Sequence, residues 1–213
     1  MKRAMEILDD LRSQSNYQTL FEDVSGYLHV EEGCALFALA LGGPGQGEVT
    51  EIGSFHGRST CFLAFGVKLR GEGIVYAVDH FLGSPEHQEG GNNQDDDLVQ
   101  YGTMLPRFKA NLRRHELDEF VRPILSASLP AAGKWDGSPI RLLFIDGDHS
   151  YKATKADFEA WNPYLAPDGL VAFHDVGDSW PGVTRFFEET TADGSGWVLK
   201  LAVGSLRVVQ RTT

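Results

Sequence analysis

The segment at residues 42–47, GGPGQG, divides this 213-residue chain into two patterns. Before it, Met5, Leu8 and Leu11 recur at helical spacing, and residues 31–41 (EEGCALFALAL) form a second, strongly apolar helical run. The glycines and proline then break the helix. From Glu48 onward, short apolar runs alternate with helical patterns. Strands are expected at residues 49–52, 74–78, 121–125, 140–145, 170–173, 197–202 and 206–209. Helices are expected at 59–69, 103–114, 151–164 and 182–189. Apolar strands separated by helices make a parallel sheet covered on both faces. The last two runs are joined only by Val203-Gly204-Ser205, which makes them an antiparallel hairpin. The expected fold is α/β: a doubly wound, mostly parallel open sheet over residues 46–213, ending in a hairpin, with residues 1–45 as a helical cover.

Length suits one domain of generous size, and no internal repeat or low-complexity tract interrupts it. Hydrophobic residues make up 42% and charged residues 23%, the balance of an ordinary globular protein. Cys34 and Cys61 fit no metal or redox spacing and read as buried apolar residues in a reducing cytoplasm. The net charge of −11 argues against nucleic-acid or anionic-membrane partners, which would repel it. The sequence MKRAMEILDDLRSQ starts basic and turns acidic with no apolar stretch, so it reads as neither a signal peptide nor an anchor. No run approaches the roughly 18 apolar residues of a membrane span.

Residues 80–102 (HFLGSPEHQEGGNNQDDDLVQYG) fit no element. A polar, glycine-rich excursion of this length is either a solvated loop or a lid over a substrate.

In an open α/β sheet, ligands bind outside the carboxyl ends of the strands. Those ends carry, in order, Glu51-Ile52-Gly53-Ser54, Asp79-His80, Ser126-Ala127-Ser128, Asp146-Gly147-Asp148-His149 and His174-Asp175. Ionisable groups at successive strand ends converge on one crevice. The first turn lacks G-x-G-x-x-G, and no Gly-Lys-Ser/Thr follows, which argues against a phosphate cradle. Glu51 beside such a crevice repels pyrophosphate and attracts a cation. Asp79 is placed either to hold both hydroxyls of a ribose or to cap a helix. A positively charged adenosine without phosphates, S-adenosylmethionine, satisfies the set.

The stretches VTEIGSFHGRST, VYAVDHF and LLFIDGDHSYKATKADFEAWNPYLAPDGLVAFHDV resemble the class I S-adenosylmethionine-dependent methyltransferases. More narrowly, they resemble the bacterial branch related to macrocin-type O-methyltransferases and cephalosporin-hydroxylase-like proteins. The similarity spans about residues 31–189. It implies a Rossmann-like, seven-stranded sheet with the last strand inserted antiparallel. It also implies that Glu51 and the Gly53-Ser54 turn hold the amino-acid part of the cofactor. Asp79, followed by His80, takes the ribose, while Ser126 and Ser128 flank the adenine, and Asp146 borders the cofactor. Ser59 opens the next helix, either capping it or touching the cofactor's carboxylate.

Methyl transfer needs an aligned acceptor and a group to take its proton. His149, three residues beyond Asp146, is the expected base; its alternative is a helix cap. Asp146, His174 and Asp175 form a candidate site for magnesium or manganese, the imidazole favouring manganese. The alternative is a hydrogen-bonded polar rim. Asp148 is expected to cap the helix near Ser150, and Trp180 to wall the acceptor pocket. His56 and Arg58 are expected to touch ligand or solvent. The resulting expectation is a cytoplasmic O-methyltransferase for a sugar or other small natural product, with a homo-oligomer left open. Its alternatives are metal-assisted hydroxylation or N-methylation on the same fold, or a non-catalytic cofactor-binding protein.

Overall fold

A computed structural model describes residues 22–84 and 87–212. The Met5–Leu8–Leu11 run lies outside the described residues. Helix α1 (Val30–Gly42) is followed by β1 (Glu48–Ile52), α2 (Arg58–Arg70) and β2 (Val75–Asp79). After residues 80–95 come α3 (Asp96–Tyr101), α4 (Leu105–Arg114), β3 (Val121–Leu125) and α5 (Ser128–Ala132). The chain continues through β4 (Ile140–Ile145), α6 (Tyr151–Trp161), β5 (Leu165–Phe173), α7 (Pro181–Thr191), β6 (Trp197–Val203) and β7 (Leu206–Arg211).

The seven strands form one sheet in the order β3-β2-β1-β4-β5-β7-β6. The first five are mutually parallel, while β7 runs antiparallel between β5 and β6. The doubly wound sheet and its C-terminal hairpin are therefore present as expected. All six residues of β4 are buried, because the strand is central and covered on both sides. Leu142 and Phe144 face α1, α2 and α4 in one core; Leu143 and Ile145 face α5, α6 and α7 in the other. This period-2 split of a continuous apolar run marks a strand buried on both faces.

Strand order reverses between β1 and β4, so the crevice at the topological switch point lies between their carboxyl ends. Gly53 makes that crevice possible. Its φ is +85°, and a Cβ there would lie 2.1 Å from the Asp146 carbonyl oxygen. Only glycine lets the β1 turn pass this close to the end of β4.

Three expectations change. The 80–102 segment is not structureless: Asp95 accepts the Leu98 N–H and caps α3. Residues 128–132 form the short helix α5, and β5 starts early, at Leu165, with Pro167-Asp168-Gly169 bulging out of register. Both cysteines are buried and form no disulfide. Among the described residues, no helix is long and apolar enough to cross a membrane.

Candidate active site

At the end of β1, Glu51 has no exposed surface. Its Oε2 accepts hydrogen bonds from Ser54 Oγ (2.7 Å) and from Thr60 Oγ1. Ser59, in the first turn of α2, adds a third hydroxyl beside the carboxyl group. Ser59 thus serves the carboxylate, while the N-cap position of α2 belongs to Gly57. The other oxygen, Oε1, has no partner. Burial, aided by the charge of Asp146 and opposed by the three hydroxyls, pushes the Glu51 pKa up to about 7. The unpaired oxygen leaves this buried carboxylate with capacity to accept from a further donor.

Asp79 ties the first two strand ends together. Its Oδ2 accepts the N–H groups of Ser54 (2.8 Å) and Phe55 (3.1 Å), and its Oδ1 accepts that of Phe81 (2.6 Å). It is neither free nor a helix cap. A carboxylate offers about four acceptor sites, so room remains for a ribose hydroxyl. The braced turns are strained: Phe55 and Phe81 have φ of +49° and +56°. Such bulky residues in the left-handed region cost about 1–3 kcal/mol each and cluster at functional sites.

Other expected contacts part company here. His80 is half-exposed and closes its own turn, its Nδ1 accepting the Leu82 N–H at 3.0 Å. Ser126 stays at the rim beyond β3, its hydroxyl donating to the Ala127 carbonyl at 3.0 Å. Ser128 is engaged inside instead, accepting the Trp161 indole N–H at 3.0 Å and bonding to Asp157. His56 and Arg58 are not solvated: His56 is buried, and Arg58 donates to the Val24 and Leu28 carbonyls.

At the ends of β4 and β5, the charged residues form one network. His174 Nδ1 lies 3.0 Å from Asp146 Oδ1 and 3.5 Å from Asp175 Oδ2, while its Nε2 lies 3.1 Å from Glu32 Oε2. Burial alone would lower the His174 pKa. The charge of Asp146 and the hydrogen bonds to Asp146, Asp175 and Glu32 outweigh it and push the pKa up to about 12. His174 is therefore an imidazolium with both nitrogens engaged. Of the expected metal set Asp146, His174 and Asp175, His174 is not among the groups whose ligand atoms converge.

The ligand atoms that do converge belong to Asp146, His149 and Asp175, all within 4.8 Å of one another. Asp175 adopts φ +60°, a third strained residue at a strand end. His149 Nε2 lies 2.9 Å from Asp175 Oδ2, and its ring stacks on Trp180 with centroids 4.1 Å apart. Burial tends to lower the His149 pKa, but the hydrogen bond to Asp175 and the charges of Asp146 and Asp175 hold it above the usual value. Asp148 accepts the Ser150 N–H at 2.8 Å, and Ser150 itself caps α6.

Glu32, on α1, was not visible as a functional residue in the sequence. Besides His174, it accepts the His29 N–H (3.0 Å), the Ser205 N–H (2.7 Å) and the Ser205 hydroxyl (2.9 Å). Burial alone would raise its pKa. The bonds to His174, His29 and Ser205 bring it down to about 2.

The methyltransferase-domain family profile matches residues 50–176. An uncharacterized protein of Acanthamoeba polyphaga mimivirus is 35% identical over 128 residues, 60% of this chain and 51% of that protein. The chain spans about half, or far less, of the length of the curated relatives it matches. Among solved structures, the O-methyltransferase NovP superposes with a TM-score of 0.66 at 19% identity, covering 86% of this chain and 81% of that one. The O-methyltransferase TomG of Streptomyces achromogenes, solved with S-adenosylmethionine, gives 0.62 at 18%, covering 95% and 89%. With the profile spanning more than half of the chain and the sheet order in place, this chain belongs to the methyltransferase-domain family, on the class I S-adenosylmethionine-dependent methyltransferase fold.

Proposed function

We propose that this protein transfers the methyl group of S-adenosylmethionine to a hydroxyl of a small sugar-like or other natural-product acceptor. The observation that carries the reading is Glu51: a carboxylate with no exposed surface, an idle oxygen and a place beside the switch point. Its environment suits a cationic amino acid better than a phosphate. Asp79 lies next to it with acceptor capacity left for ribose. Ser126 and the exposed Leu125 and Leu129 supply a rim for the adenine.

When bound, the cofactor supplies an electrophilic methyl on a sulfonium. The chain's own residues orient the acceptor and take up its proton. With Nε2–H donated to Asp175, Nδ1 of His149 carries the lone pair and acts as general base. Asp175 fixes that tautomer and stabilises the imidazolium, and Trp180 keeps the ring in place. Nδ1 of His149 would take up the proton that the acceptor hydroxyl gives up on methylation.

A second reading rests on the convergence of Asp146, His149 and Asp175. In that reading Asp146, His149 and Asp175 would hold magnesium or manganese, which would lower the acceptor hydroxyl's pKa in place of a histidine base. The two readings differ under chelation.

A calorimetric titration tests the central claim. S-adenosylmethionine and S-adenosylhomocysteine should bind at micromolar strength and NAD should not; no binding of either sulfur compound overturns it. With an acceptor identified, His149→Ala should abolish turnover in both readings. EDTA should leave the wild type active in the first reading and silence it in the second.

A further inference from the structure

A second polar cluster lies outside this crevice, where three chain segments meet. His56 comes from the turn between β1 and α2, Asp95 caps α3, and Asp97 stands in its first turn. All three are nine-tenths or more buried, at 5%, 8% and 9% exposure. Their ligand-type atoms all lie within 4.8 Å of one another. From the N-terminal side, Ser25 Oγ lies 2.6 Å from His56 Nδ1. A cavity of about 360 Å³, lined in part by Ser25, Tyr27, Phe55 and Asn93, opens onto the group.

The hydrogen bonds are unevenly shared. Asp95 Oδ1 accepts the Leu98 N–H, leaving Oδ2 directed to the cluster, 3.0 Å from His56 Nε2. At that distance Nε2 still makes no hydrogen bond, although its atom surface is buried. With Ser25 accepting from Nδ1–H, Nε2 carries a lone pair and faces two carboxylates. A cation held between His56 Nε2 and Asp95 Oδ2, beside the outer face of Asp97, would satisfy both atoms. Arg107 pairs with Asp97 through both oxygens but is itself half-exposed, so it fixes that carboxylate from outside.

We propose that His56, Asp95 and Asp97 form a site for a divalent transition-metal ion of the zinc or manganese kind, which fastens the 95–97 segment to the turn after β1. One imidazole with two carboxylates suits these ions better than magnesium or calcium, which prefer all-oxygen shells. Ser25 and Arg107 are the outer partners that orient ligating histidines and carboxylates in such sites. The site is separate from Asp146, His149 and Asp175, and it stands whether or not the methyltransferase reading does.

The experiment is zinc titration by calorimetry, with cobalt absorption as a second readout, on the full chain carrying Asp175→Asn to disable the other cluster. That protein should bind one zinc and show the visible bands of a nitrogen–oxygen cobalt site. Adding His56→Gln or Asp97→Asn should weaken binding by about 100-fold or more, and Ser25→Ala by about tenfold. Zinc should also slow amide exchange across residues 95–102. Magnesium should do neither. Absence of zinc binding in the Asp175→Asn protein, or binding unchanged by both His56→Gln and Asp97→Asn, overturns the proposal. Circular dichroism confirms that each variant compared is folded, and the two variants remove different ligands, so misfolding of one leaves the other decisive.

Discussion

Glu32 and Glu51 are both without exposed surface, yet one is held near pKa 2 and the other near 7. The difference lies in their partners. Glu32 meets the His174 imidazolium and donors from His29 and Ser205, so its charge is matched within the fold. Glu51 meets only hydroxyls, beside a second carboxylate, and keeps an oxygen idle. Burial sets the scale of a pKa shift, and the neighbours set its sign. One glutamate has its charge and both oxygens matched within the fold, and the other keeps an acceptor unmatched.

The largest effect expected from breaking this contrast is at Glu32. Glu32→Ala leaves a buried imidazolium short of a partner and should destabilise the fold by about 3–5 kcal/mol in urea unfolding. The double variant Glu32→Gln with His174→Gln should lose less than Glu32→Ala alone; an equal or greater loss would show that the charges are not matched to each other.

Glu51→Gln should do the opposite. Its raised pKa means that ionisation works against the native state as pH climbs from 4.5 through 7, so stability falls across that window and stays low above it. The glutamine variant should therefore be more stable at pH 8, by at most on the order of 3 kcal/mol. It should also bind S-adenosylmethionine about 1–3 kcal/mol more weakly. A variant both less stable and equally tight in binding would dismiss the idle oxygen as a ligand site.

A smaller effect follows from the same titration. Protonating Glu51 removes the negative charge that favours the cationic cofactor. The affinity for S-adenosylmethionine and for S-adenosylhomocysteine, which share the amino-acid ammonium, should fall together below pH 7, by up to about 1.4 kcal/mol per pH unit. In Glu51→Gln both affinities should be flat over the same range. Smallest is Ser205→Ala, which removes one hydroxyl donor from Glu32 and should cost about 1 kcal/mol in the same urea assay.

The strand ends were legible because alternation of apolar runs fixes where a parallel sheet stops, and polar residues directly after such runs stand out. Glu51, Asp79, Asp146, His149, His174 and Asp175 were all found this way. Their partners were not. Glu32 lies 142 residues from His174 in sequence and looks like an ordinary first-turn acid of an amphipathic helix. The acidic run Asp95-Asp96-Asp97 falls in the segment expected to be a solvated loop or a lid, whereas two of its members are buried by a cap and by Arg107. Ser128 and His174 have the residue types of ligand contacts, but packing against Trp161 and Glu32 had already used their polar atoms. Local pattern marks where a group stands on the chain; it carries no record of which distant group will meet it.

The turn between β6 and β7 gives Glu32 two of its donors, both from Ser205, across 173 residues. A ribosome makes that turn 173 residues after Glu32. The emerging chain holds its first helix, its strands and His174 well before the hairpin exists, and domains fold as units once their parts are present. Until the hairpin closes, Glu32 lacks those two donors and His174 leans on an underbound partner. Completion of the charged centre thus coincides with completion of the sheet.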